Sequence, residues 1–212
     1  MTNSYFPDVD KNVETFINEQ RQKCEQHNIV FNLVPNERVA INDIECNGYF
    51  YAHESGMRGI FTVATGKPFL EWFPTFIHES SHVDQFIEKS PYWFADQDSN
   101  ILDDWINGID FDMQDIKRVV HRTILLEADC EARAVEKIKQ FNLPVNIEEY
   151  SRQANSYLLF HHWMLLNRKW YTKAPYEIEE IVRIMNPSIM KHIAFYLNEP
   201  NKNIMKAFNL CG

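Results

Sequence analysis

The segment from Asp115 to Phe141, DIKRVVHRTILLEADCEARAVEKIKQF, constrains the fold more than any other, because it reads as one unbroken helix with acids in an unexpected place. Projected at about 100° per residue, Arg118, Arg122, Asp129, Arg133, Glu136 and Gln140 form a polar stripe. Ile116, Val120, Ile124, Ala134, Val135, Ile138 and Phe141 form an apolar face opposite it. Glu127 and Glu131, one turn apart, fall in the middle of that apolar face. Burying a carboxylate costs several kcal/mol unless it is paired or ligates a metal. A metal site accounts for both acids; ion pairs with arginine inside a helical core are the alternative.

Upstream, His78-Glu79-Ser80-Ser81-His82 supplies what such a site needs. Residues four apart share a helix face, so both imidazoles can reach one ion while Glu79, about 100° round, stays free to act on water. Phe73, Phe76, Ile77, Val83, Phe86 and Ile87 lie on the other sides of this helix, and Pro74 is expected in its first turn. A catalytic zinc normally takes three protein ligands and keeps a fourth position for water. The spacing that would place a glycine at 85 and a histidine at 88 is not met, since Gln85 and Glu88 stand there. The third ligand is therefore expected from the acid pair of the long helix. His121 is a weaker competitor, lying about 120° round that helix from Glu127.

Residues 75 to 84, TFIHESSHVD, resemble the extended signature of the zincin metallopeptidases, with Asp84 departing where that signature ends in an apolar residue. The pattern around Glu127 is similar to the glutamate-ligand branch, the gluzincins, in which a later helix carries Glu-x-x-x-Asp. The resemblance implies Glu127 as the zinc ligand, with Glu131 in the position of the acid that orients a ligating histidine from behind. Glu131 stands where the family has Asp, so the reverse order, with Glu131 as ligand, stays open. The family's C-terminal part often supplies a His or Tyr that donates to the oxyanion, a role for which His161, His162, Tyr171 and Tyr176 are the candidates here. In that family an edge strand beside the active-site helix pairs with an extended peptide. GIFTVAT, residues 59 to 65, is the candidate, with an internal strand as the equal alternative.

The remaining chain fits an α+β, predominantly helical protein. A charged helix is expected over about residues 8 to 27, then strands at Ile29 to Val34, Gly48 to Ala52 and Gly59 to Thr65. Helical periodicity dominates from Phe73 onward, interrupted at Ser90-Pro91, Asn142 to Pro144, Lys173 to Pro175 and Asn186-Pro187. The expected organisation is a zincin-like metal-binding domain over 1 to 143, with small N-terminal sheet, active-site helix and glutamate helix, and a helical C-terminal part over 144 to 212 packed on it. The acidic, aromatic stretch Pro91 to Gln114 reads as a peripheral helix and loop anchored by its Trp and Phe, or as a lid whose Asp residues would favour basic substrates.

A formal net charge of -9 with no basic run argues against nucleic acid as a partner. The opening MTNSYFPDVD has no basic and apolar leader, and no run approaches a membrane span, so a cytoplasmic protein with no membrane partner is expected. Cys24, Cys46, Cys130 and Cys211 show no Cys-x-x-Cys spacing and read as reduced thiols. The sum is the expectation of a zinc metallopeptidase acting on a protein or peptide substrate, with one Zn2+ on His78, His82 and Glu127 and with Glu79 as general base. Short zincins of this kind occur in bacteria and their phages. The alternatives are a non-catalytic, zincin-like regulatory or interaction protein and a zinc hydrolase of another amide or ester.

Overall fold

A computed structural model describes residues 11–41, 44–52, 58–93 and 99–212. The opening ten residues, including the start expected for the first helix, lie outside the described residues, as do 94–98 of the acidic aromatic stretch. The fold is α+β and 61% helical, with a small mixed sheet. It divides into two compact units: residues 1–87 with 136–145, and residues 88–135 with 146–212. No described helix is long and apolar enough to cross a membrane.

In the first unit, helix α1 (Lys11–Gln26) is followed by β1 (Val30–Val34), a hairpin of β2 (Val39–Ile41) and β3 (Ile44–Cys46), then β4 (Gly48–Tyr51), β5 (Ile60–Ala64) and helix α2 (Phe69–Ile87). The hairpin is an addition to the strands expected from sequence; its three-residue strands are too short to show a period of two. β5 pairs in parallel with β1, Val30 opposite Ile60, and antiparallel with β4, Gly48 opposite Val63. The strand order is thus β1-β5-β4.

This corrects the expectation that GIFTVAT is an edge strand. Phe61, Thr62, Val63 and Ala64 are all buried. A strand covered on both faces and paired on both sides reads as an apolar run, which periodicity does not separate from a half-buried edge. β4 is the antiparallel edge of this sheet, and Gly48 brings it close to α2. A Cβ on Gly48 would stand 2.9 Å from Thr75 Cγ2 and 3.0 Å from the Thr62 carbonyl oxygen.

Phenylalanine builds the core of this unit. Phe76 meets Phe16, Phe31 and Phe61 edge-on, with ring centroids 5.7, 6.0 and 5.3 Å away, and Phe31 stacks on Phe61 at 5.0 Å. Edge-to-face pairs of this kind add about 0.5 to 1.5 kcal/mol each beyond burial. Helix α2 begins at Phe69, so Pro74 sits inside it rather than in its first turn. The missing N–H falls opposite the carbonyl of Leu70, in the exposed opening turn where Pro68 accepts from Glu71 and Trp72. Expecting Pro74 at the start ignored that a helix can begin earlier and tolerate proline at its solvent end.

The second unit holds α3 (Ser99–Ile106), most of α4 (Met113–Gln140), α5 (Ile147–Asn167), α6 (Glu179–Ile184) and α7 (Lys202–Ala207). Asp112 opens α4 by accepting from the Gln114 amide, and Asn146 caps α5 by accepting from Glu148 and Glu149. Ile116, Val120 and Ile124 pack with Leu158, Phe160, Trp163 and Phe208 in one buried cluster. Trp105 and Leu102 of α3 belong to it, which anchors that part of the acidic aromatic stretch. Arg168, in the left-handed conformation that ends α5, lies over the Trp105 ring and donates to the carbonyls of Trp105 and Ile109.

Candidate metal centre

Helix α2 turns its aromatic side into the core, with Phe73, Phe76, Ile77 and Val83 fully buried. The sequence-derived motif lies along another side: His78 is half-buried, while Glu79 and His82 are buried. The His78 and His82 rings stand nearly perpendicular with centroids 4.8 Å apart. Both intervening serines bond back to the helix, Ser80 Oγ and Ser81 Oγ donating to the Ile77 carbonyl at 2.7 and 3.0 Å.

His82 is held in one tautomer. Its Nδ1 lies 2.8 Å from Oε1 of the fully buried Gln85. An amide oxygen only accepts, so Nδ1 carries the proton and Nε2 keeps its lone pair. A metal-ligating histidine is oriented in the same way, with one ring nitrogen donating to a neighbouring oxygen. Gln85 entered the sequence reading only as the absence of a glycine. Its signal was its place three residues after His82 on the same helix, within side-chain reach.

The acid pair on α4 takes up different surroundings. Glu131 is buried, and its Oε2 accepts from the Tyr150 hydroxyl at 2.6 Å. Gln85 is thus one partner of a motif histidine, and Tyr150 is one partner of Glu131. Glu127 is half-buried and acts on the fully buried His161, whose pKa is driven down by burial and partly restored by the Glu127 charge. Arg133, the arginine nearest this pair in sequence, is engaged by Asp129 at 2.8 Å and Glu88 at 2.7 Å.

His78, His82 and Cys130 form a group able to hold a metal ion, with ligand atoms all within 4.8 Å of one another. Cys130 was read from sequence as an ordinary thiol. What marked it was its place between Glu127 and Glu131 on one stretch of helix, a soft ligand among hard ones. Glu79 makes itself felt at Cys46, whose pKa is raised first by burial and then by the Glu79 charge. All four cysteines are free.

The four residues considered as oxyanion donors lie in the second unit. His161 Nδ1 donates to the Tyr157 carbonyl at 3.0 Å and His162 Nε2 to the Tyr196 carbonyl at 2.8 Å. Tyr171 packs against Phe160 and Trp170, and Tyr176 against Tyr157. His121, half-buried, has its pKa lowered by burial and then by His162.

No family model, curated protein or solved structure matches this chain.

Proposed function

We propose that this protein is a zinc-dependent hydrolase of peptide bonds. The observation that carries the reading is the motif helix itself. Two histidines share a turn, one of them is oriented by Gln85 through Nδ1, and a buried carboxylate lies between them in sequence. His78 and His82 are two ligands, and the third comes from residues 127 to 131 of α4. The ligand atoms favour Cys130, while the sequence pattern gives Glu127, one turn earlier on the same helix. Three protein ligands leave one position for water, the composition of a catalytic rather than a structural site.

Bound zinc would supply Lewis acidity and bring the pKa of a coordinated water toward neutrality. Glu79 would then be the group to take the water proton and pass it to the leaving amine. An extended substrate finds a place on β4, the antiparallel edge that Gly48 lets approach α2, where main-chain hydrogen bonds can add a strand. A protein or peptide substrate and a cytoplasmic location are part of the same proposal, carried over from the sequence.

Zinc analysis of protein purified without chelator tests the centre, with about one ion per chain expected. Cys130→Ser is expected to cut bound zinc to roughly a tenth or less, and Glu127→Ala to leave most of it. The opposite pair of results returns the ligand role to Glu127, and full zinc in both variants dismisses the centre as drawn. Gln85→Leu should weaken zinc binding by about 10- to 100-fold in a chelator competition while leaving the protein folded, because His82 loses the acceptor that fixes its tautomer. Unchanged affinity would deny Gln85 that role.

A further inference from the structure

Asp84 stands where the zincin signature ends in an apolar residue, and the structure gives it two cations. Asp84 Oδ2 lies 2.7 Å from Lys137 Nζ, and Oδ1 lies 2.6 Å from Lys23 Nζ. Lys137 also donates to Ser80 Oγ at 2.9 Å, and Ser80 in turn donates to the carbonyl of Ile77, the residue before His78. The Asp84 and Lys137 side chains are 12% and 9% exposed, whereas Lys23 at 35% keeps much of its contact with water. The inner pair is thus the demanding one.

Desolvating two charges gains little stability over a packed apolar pair, so its effect is to be sought in geometry. A Lys ammonium shared between a carboxylate and a hydroxyl one turn apart on α2 is satisfied at one axial position and one rotation of α4. Lys137 is continuous with the ligand stretch: Cys130 lies seven residues earlier, on nearly the same face of the helix.

We propose that Lys137, through Asp84 and Ser80, is a positioning residue that holds the motif turn of α2 and so sets the placement of the two histidine ligands it carries. This rests on the zinc reading above. The test uses Asp84→Leu/Lys137→Met, which removes both buried charges together and leaves neither stranded, while Lys23 can turn to water. The double variant should unfold near the wild-type temperature and yet bind zinc at least about tenfold more weakly in competition with a chromophoric chelator, the scale of other outer partners of metal ligands. Lys137→Arg, which keeps a cation for Asp84, should recover part of the affinity. A double variant that folds and binds zinc like wild type overturns the positioning role and leaves the centre intact. A wild-type protein that binds no zinc overturns both. Should the double variant fail to fold, Ser80→Ala supplies the decision: it removes the hydroxyl that Lys137 donates to and should weaken zinc binding, and unchanged affinity there overturns the proposal.

Discussion

Replacing Glu79 by Gln is expected to leave zinc bound and to lower peptide hydrolysis by at least about 10²- to 10⁴-fold, the usual contribution of a positioned general base. Gln has nearly the same shape as Glu and can occupy the same buried place on α2, but its amide cannot accept the water proton. Glu79 is set about 100° round the helix from His78, on the chain between two histidines that can share an ion, so the charge is lost without loss of a ligand. The measurement is a peptide-library digestion at equal zinc occupancy for the two proteins. Cleavage that survives in Glu79→Gln would assign the peptidase activity elsewhere or to a contaminant. Wild-type inactivity on peptides with cleavage of other amides or esters would keep the centre and change the substrate.

Asp84→Asn should produce the largest loss of stability, about 3 to 5 kcal/mol, because it leaves the buried Lys137 ammonium without its carboxylate. Lys23 contributes little to that figure, being more than a third exposed and screened by water. The same pair predicts an acid dependence. Burial alone would raise the Asp84 pKa, but Lys137 and Lys23 together hold it below the ordinary carboxylate value. A carboxylate whose pKa is lower folded than unfolded stabilises the native state above the unfolded value of about 3.9, and that contribution is lost as pH falls through the folded value. Urea unfolding should show a steeper loss of wild-type stability below about pH 4 than in Asp84→Asn, which has no such group to protonate. Equal slopes would mean that Asp84 does not hold its charge as drawn. The contrast with the double variant is part of the prediction, since a stranded charge is costly where a removed pair is nearly neutral.

Much of the motif helix was legible in the sequence because it depends on local spacing. Phe73, Phe76, Ile77 and Val83 of α2 are buried where the 3.6-residue period places them, and the histidines come together because they are one turn apart. The long helix was equally plain, and its expected span differs from Met113–Gln140 by two residues at one end and one at the other. Three features were out of reach for a common reason. The central position of β5, the engagement of Glu131 by Tyr150 and the appearance of Cys130 beside the histidines all depend on which distant segments meet. Periodicity assigns a residue to a face and says nothing of what that face meets.

The sequence by itself determined that the motif helix and the long helix form, which of their faces are apolar, and that His78 and His82 share a turn with Glu79 between them, since each of these follows from spacing along a single helix. Only the tertiary structure decided that Gln85 meets His82, that Asp84 faces two lysines, and that Cys130 joins Glu127 as a candidate for the third ligand. Those outcomes turn on ångström-scale distances between side chains far apart in the chain, and such distances are set by packing rather than by local propensity.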